Sequence, residues 1–424
     1  MTKQAIFDQV VSLLQNDSAT KKDLTGADPA LFREKITEEM SDEDFLYVMR
    51  CYLASFGVIS HVSFHPKKPE KLGFRLRIYD NRLFVVQADE QTGLREGDEI
   101  VAISGQTVKD FYQTHQAYFV SQTPERHYAD WARLMKRYSQ LTVARGSVIL
   151  QIHLQNPSDA PDNGFSGYLV NDETYYMRLI DFSNEAAITE LYQQAFPILS
   201  GVKNLIIDVR VNHGGTDSLY FPLFPYTLPE GKGFKDLEKV DDDGMEILYT
   251  PTNVQHRLDQ FAGFLANPDI SKESKQMIAD FTKELKTNVD KGFLVYDDAS
   301  GEDDGESMLS GYRGLAESPE RIIILSDVYC GSSGDNFVEM MRRMPKVTVV
   351  GRPTLGILDY SNCCTVDFGD FELLYPTSRS LAIDHGKGMT DKGVLPDVLV
   401  PWTPDHLLED MDMKVAMEVL KGEA

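Results

Sequence analysis

The sequence predicts an α/β fold: a largely parallel sheet core, preceded by a helical N-terminal segment and a β-rich module. Three observations carry this. From about residue 165, short apolar runs such as Asn204 to Arg210 and Arg321 to Leu325 alternate with helical stripes, as crossover units of a parallel sheet require. Residues 1–60 show apolar positions at helical spacing. Residues 67–155 instead show strand-like runs separated by Asx and Gly turns. The implied domains are 1–66, 67–155 and 156–424.

Length and charge limit the function. The chain has 424 residues, 42 Lys+Arg against 66 Asp+Glu, and a net charge of −24. At about 150 residues per domain, two or three domains and a large core fit. The acidic balance repels phosphate backbones and anionic lipids, so neither nucleic acid nor membrane is an expected partner. No apolar run approaches the ~18 residues that span a bilayer. The first residues lack a basic stretch followed by an apolar block. Ile6, Val10, Val11, Leu13 and Leu14 fall on one helical stripe, which predicts a docked helix and no secretion signal. Cys51, Cys330, Cys363 and Cys364 form no paired CxxC pattern, so reduced thiols in the cytoplasm are expected, with no metal and no cofactor.

Within the N-terminal segment, Ser41 and the acids after it cap a helix carrying Phe45, Val48, Met49, Tyr52 and Leu53 on one face, which Gly57 ends. In the module, Leu72 to Ile78 and Arg82 to Val86 are strands joined by an Asp80-Asn81 turn. Gly93 to Val108 follows as a Gly97-Asp98 turn, a buried strand and a Gly105 turn, and resembles the signature of PDZ domains. Leu72, Gly73 and Phe74 are similar to the loop by which such domains hold a peptide carboxylate; they equally suit the start of a strand in a bracing module. Beyond it, Tyr175 to Ile180, Asn204 to Arg210, Arg321 to Leu325 and Val347 to Val350 are strands, and Glu185 to Leu199 is a helix. The polar stretch at about 225–318 reads as an insertion, or a mobile lid, with acidic runs at 241–243 and 297–306.

The candidate chemistry gathers at strand ends. After Arg321 to Leu325 comes a turn of small residues, Gly331-Ser332-Ser333-Gly334, and then a helix with Phe337, Met340, Met341 and Met344 on its buried face and Asp335 or Asn336 as cap. A serine hydroxyl there is exposed beside a helix N-terminus, and the Ser333 amide can donate to an oxyanion. An ordinary capped turn accounts for these residues as well. After Asn204 to Arg210 comes Asn212-His213-Gly214-Gly215, where either glycine could bring a second amide close to a substrate.

In order, the PDZ-like module, YYMRLIDFS, LIIDVRVNHGG, the serine turn, VTVVGRPTLG and DKGVLPDV resemble the family of C-terminal processing (tail-specific) serine proteases over most of residues 40–400, except the 225–318 stretch. The resemblance implies a ClpP/crotonase-like core and a nucleophile at Ser332. It also implies an oxyanion site from Ser333 with Gly214 or Gly215. The branch that uses a lysine base has TFGKG where this chain has Thr354-Leu355-Gly356-Ile357-Leu358, and Ile357 cannot take a proton. Gly57 to Val62 is instead similar to the Ser-His segment of the tricorn-like branch. That makes His61 the expected base and Ser60 its companion. The acid of that branch aligns with Thr390, with Asp391 adjacent.

Competing readings remain. His213 and His385 also lie in loops near the inferred site. Lys387 is flanked by glycines in a solvated stretch. Cys330 suits packing better than attack, and His61 with His65 lacks further ligands for a metal. The expected activity is therefore that of a cytoplasmic, ATP-independent serine peptidase acting on peptides or unfolded proteins, with a homo-oligomer left open. The alternatives are an inactive relative binding peptide or apolar ligand in the same cleft, and an esterase.

Overall fold

The computed structural model describes residues 1–68, 71–158, 164–237, 244–266, 272–296, 309 and 311–422. The chain opens with α1 (Lys3–Asn16), whose stripe Ile6, Phe7, Val10, Leu13 and Leu14 is buried. After α2 (Ala30–Arg33) comes α3 (Asp42–Ala54). It starts where the Ser41 hydroxyl accepts the Asp44 amide at 3.1 Å, with three acids in its first turn at the positive end of the helix dipole. β1 (Ser63–Pro66) follows.

The module contains β2 (Phe74–Tyr79), β3 (Arg82–Ala88), β4 (Glu99–Ile103), β5 (Gln106–Thr107), α4 (Val108–Thr114), α5 (Tyr128–Tyr138), β6 (Gln140–Arg145) and β7 (Val148–His153). Its antiparallel sheet runs β2-β3-β4-β6-β7, with β5 beside β4. Asp80 and Asn81, at φ 48° and 58°, form the tight turn that matches the twist of the β2–β3 hairpin.

The remainder comprises β8 (Ser166–Asn171), β9 (Thr174–Arg178), α6 (Glu185–Leu199), β10 (Asn204–Asp208), α7 (Phe224–Thr227), β11 (Met245–Tyr249), α8 (Pro251–Leu265), α9 (Lys272–Asn288) and β12 (Gly292–Tyr296). It continues with β13 (Arg321–Ser326), α10 (Ser333–Met341), β14 (Val347–Gly351), β15 (Tyr360–Asp367), β16 (Phe371–Ser380), β17 (Val398–Leu399) and α11 (Met411–Lys421). The central sheet has the order β17-β14-β13-β10-β9-β8. All its pairings are parallel except that of β8 with β9. Both faces are covered, which is why its strands are continuous apolar runs. Leu205, Ile207, Ile322 and Ile324 belong to the core shared with α6 and α10, and Ile206, Ile323 and Leu325 to the core shared with α11. A third sheet, β1-β16-β11-β12 with β15 on β16, is antiparallel. Parallel pairing thus describes one sheet of three, and the whole is a mixed α/β fold.

Two segments are more deeply integrated than their sequence suggests. The helices of residues 1–66 share one hydrophobic core with the module and with Phe371, Leu373 and Tyr375, and β1 pairs with β16. Within 225–318, β11 is an interior strand of the third sheet, between β16 and β12. The acidic runs at 241–243 and 297–306 lie outside the described residues.

A buried chain of alternating charges ties the parts together at the ends of the central strands. Arg77 of β2 pairs with Asp327, which takes Arg352 at 2.8 Å. Arg352 reaches Asp412 of α11 at 2.5 Å, and Arg210 bridges Asp412 at 3.0 Å and Asp208 at 2.7 Å. Burial opposes ionisation of Asp412. The hydrogen bonds from His406 and Arg352 and the charges of Arg352 and Arg210 outweigh it, holding the carboxyl well below its usual range.

Candidate active site

The site forms where β13 ends and α10 begins. Ser332 is the residue at that junction, with φ 60° and ψ −123°. This is a sparsely populated conformation for a residue with a side chain, and it holds the serine on a sharp strand-to-helix turn. The cap differs from the expected Asp335 or Asn336. Ser332 occupies the N-cap position, and Asp335 at the third helical position reaches back to accept the Ser332 amide at 2.9 Å.

The loop before β1 brings His61 to this turn. Its Nε2 lies 2.9 Å from Ser332 Oγ, although 271 positions separate the two in the chain. Its Nδ1 lies 2.5 Å from the carbonyl oxygen of Tyr360, the first residue of β15. A carbonyl only accepts, so Nδ1 carries the proton and Nε2 is left as acceptor for the serine O–H. The residue is half-buried, yet its surroundings are crowded. That burial lowers the imidazole below the ordinary histidine value, against the opposing pull of the Tyr360 carbonyl, the Asp335 charge and the Ile357 backbone. Tyr360 is itself anchored: its hydroxyl donates to Asp23 at 2.9 Å, and Asp23 is held by Arg379, which pairs with Tyr360 across β15 and β16.

The other residues expected beside His61 are engaged elsewhere. Asp391 accepts the Ser121 hydroxyl and the Gln122 amide (2.7 Å), both from the module side. Thr390 donates through both its amide and its hydroxyl to buried Asp359, at 2.6 Å each. Ser60 precedes His61 in the loop but makes no hydrogen bond to the ring. A main-chain carbonyl occupies the place the sequence assigned to a side chain. The reason is topological: β15 runs past the imidazole, while residues 390 and 391 sit where the core meets the module.

The Asn212-His213-Gly214-Gly215 turn lies against the serine turn. A Cβ on Gly214 would stand 2.7 Å from Ser332 Cβ, 2.8 Å from the Gly331 oxygen and 3.0 Å from the Ser333 nitrogen; at φ 77° the position also suits glycine. The amide of Gly214 already donates to Asn212 Oδ1 at 2.9 Å, so Gly214 is not the free donor the sequence allowed. Gly215, at φ 140°, packs on Phe182, and their bridge uses the Gly214 carbonyl and the Thr216 amide. The amides of Gly215 and Ser333 have no acceptor among the described residues. The Ser333 hydroxyl fastens the two turns by donating to the Gly215 carbonyl at 2.7 Å.

The remaining candidates separate cleanly. His213 Nε2 lies 3.5 Å from Arg75. Cys330 is fully buried, and burial pushes its thiol well above the ordinary value. At Leu72-Gly73-Phe74, the Gly73 carbonyl accepts from Asp89, Phe74 begins β2, and a Cβ on Gly73 would stand 2.4 Å from Pro157. Ile357 offers its backbone: its amide donates to Asp335 at 3.1 Å.

Sequence reasoning did not single out Tyr360, Asp335 or Asn212 for these duties. Tyr360 acts through its main chain and leaves no residue-type signal. For Asp335 a signal existed, since Ser332-x-x-Asp335 has capping-box spacing.

The arrangement can pass a hydroxyl proton to an imidazole and offers two amides to a developing oxyanion beside a helix N-terminus. The profile of "Peptidase family S41" matches residues 173–400. Among solved structures, mature CPAF complexed with lactacystin is 14% identical, with 99% of each chain covered and a TM-score of 0.65. Mature CPAF alone is 15% identical at a TM-score of 0.64, covering 99% of this chain and 96% of that one. Tricorn protease is 15% identical at a TM-score of 0.42, with 99% of this chain against 36% of that one.

Proposed function

The chain belongs to peptidase family S41, and from that membership we propose that it is a serine endopeptidase or carboxy-terminal peptidase using a Ser332–His61 pair. Ser332 Oγ attacks the scissile carbonyl as His61 Nε2 takes its proton. The oxyanion is received by the amides of Ser333 and Gly215. His61 then returns the proton to the leaving amine, and water repeats the cycle to release the acyl group. The observation that carries this reading is the 2.9 Å contact between His61 Nε2 and Ser332 Oγ, with the tautomer set by Tyr360.

Ile357 in place of a lysine and a histidine on the nucleophile both support the tricorn-like branch over the Ser-Lys branch. The six-stranded antiparallel module, with its Gly97 and Gly105 turns, supports a PDZ-like role in holding peptide. Four unpaired thiols support a reducing, cytoplasmic setting, and no described helix is long and apolar enough to cross a membrane. Peptides or unfolded proteins are the proposed substrates.

The test is peptide hydrolysis by the parent and by Ser332→Ala. The variant should lose at least about 10³-fold in kcat while melting at the parent temperature. Equal turnover would remove Ser332 from the mechanism. A folded parent that cleaves neither peptides nor esters would favour the binding relative, and cleavage of esters alone the esterase.

A further inference from the structure

His61 lacks a carboxylate on Nδ1, which leaves open what stabilises the imidazolium once the serine proton has moved. We infer that Asp335 is the positioning residue that does this: a buried carboxylate under the nucleophile turn that holds the Ser332 amide and balances the charge on His61. This rests on the Ser332–His61 reading above.

Asp335 is 0% exposed. Its Oδ2 accepts the amides of Ser332 (2.9 Å) and Ile357 (3.1 Å), and its Oδ1 accepts the amide of Gly356 (2.9 Å). The Thr354 hydroxyl, whose oxygen accepts from the Val394 amide at 2.8 Å, also favours the charged carboxyl. Three amides on two oxygens are what an ionised carboxylate takes, since it has acceptors only.

These contacts serve two parts of the site at once. The Ser332 bond restrains the residue whose backbone is strained. The Gly356 and Ile357 bonds fix the loop whose backbone meets the imidazole. The negative charge of Asp335 also acts on His61 directly, favouring its protonated form. Other ionisable groups also act near Asp335. Arg126 reaches in from the module, holding the carbonyls of Thr354, Leu355 and Lys392 at 2.7, 2.9 and 2.6 Å. Asp391, which accepts from Ser121 and Gln122, also acts on Arg126, and the Cys330 thiol stays neutral through burial. Burial pushes the Asp335 carboxyl above the usual range, opposed by the Thr354 hydroxyl and the three amides.

The experiment measures the rate of Ser332 modification by a fluorophosphonate against pH, for the parent, Asp335→Asn and Asp335→Glu. Loss of the charge destabilises the imidazolium, so the acid limb of the Asn variant should move about one unit down and its plateau fall about tenfold. The Glu variant keeps the charge and should retain the parent limb even with a lowered plateau. An Asn variant with the parent limb overturns the inference. If Asp335→Asn does not fold, Thr354→Val is used. Removing the Thr354 hydroxyl favours the neutral carboxyl and so withdraws counter-charge from His61, so the acid limb should move down, as in the Asn variant; an unmoved limb overturns the inference. A parent that is never modified at Ser332 sinks the serine-peptidase reading instead.

Discussion

Gly214→Ala perturbs the catalytic turn from its neighbour, without changing a residue that does chemistry. The new methyl would stand 2.7 Å from Ser332 Cβ and 2.8 Å from the Gly331 oxygen, where carbon contacts settle near about 3.5–4 Å. One of the two turns must therefore yield by about 1 Å, and a misplacement of that size costs on the order of 10²-fold in rate. The left-handed backbone at φ 77° adds roughly 1–2 kcal/mol of strain. Overpacking adds about 1–3 kcal/mol. The expected destabilisation is thus about 2–5 kcal/mol, below the ~5–15 kcal/mol a folded domain commands. Gly97→Ala is the control: at φ 85° it meets nothing within 4 Å, so it carries the backbone cost alone. Urea midpoints and kcat/KM on a fluorogenic peptide give both readings. The reasoning is refuted if Gly214→Ala matches Gly97→Ala in stability and retains parent activity.

Because burial keeps His61 below the ordinary histidine value, the base stays neutral further into acid; the lower limb of kcat/KM against pH should fall below about 6.5. Asp391→Ala removes bonds to Ser121 and Gln122 at the module contact, and should cost about 1–3 kcal/mol in denaturant titration while leaving that limb in place. A limb that moved with Asp391 would return it to the triad. Asp412→Asn breaks the buried charge chain and should cost about 3–5 kcal/mol at neutral pH. Since the folded Asp412 carboxyl titrates below its unfolded value, its contribution is present above about pH 4 and fades as pH falls further. The gap between parent and variant in thermal melts should narrow there.

What was legible in the sequence was local. The Ile-rich strands β10 and β13, buried on both faces, are continuous apolar runs. The Ser41 cap and the Asp80-Asn81 turn follow from residue chemistry alone. Ser332 and the two glycines stood out because a strand-to-helix turn of small residues is a recognisable object, and the family pattern drew attention to His61. The rest depended on contacts that no spacing encodes. Tyr360 serves His61 through a carbonyl that any residue owns, so its side chain marked only the anchor to Asp23. Asp391 was attractive as an acid near the right motif, yet the fold turns it toward Ser121. Gly214 offered an amide, but Asn212, two residues earlier, already takes it. The polarity of the 225–318 stretch gave no sign of β11, which the third sheet places between β16 and β12.

The most direct measurement is mass-spectrometric mapping of a fluorophosphonate adduct on the folded protein, with His61→Ala alongside. The account predicts a single adduct on Ser332, forming at least about 10²-fold more slowly without the imidazole. An adduct on another residue, or equal rates in the two proteins, would contradict it.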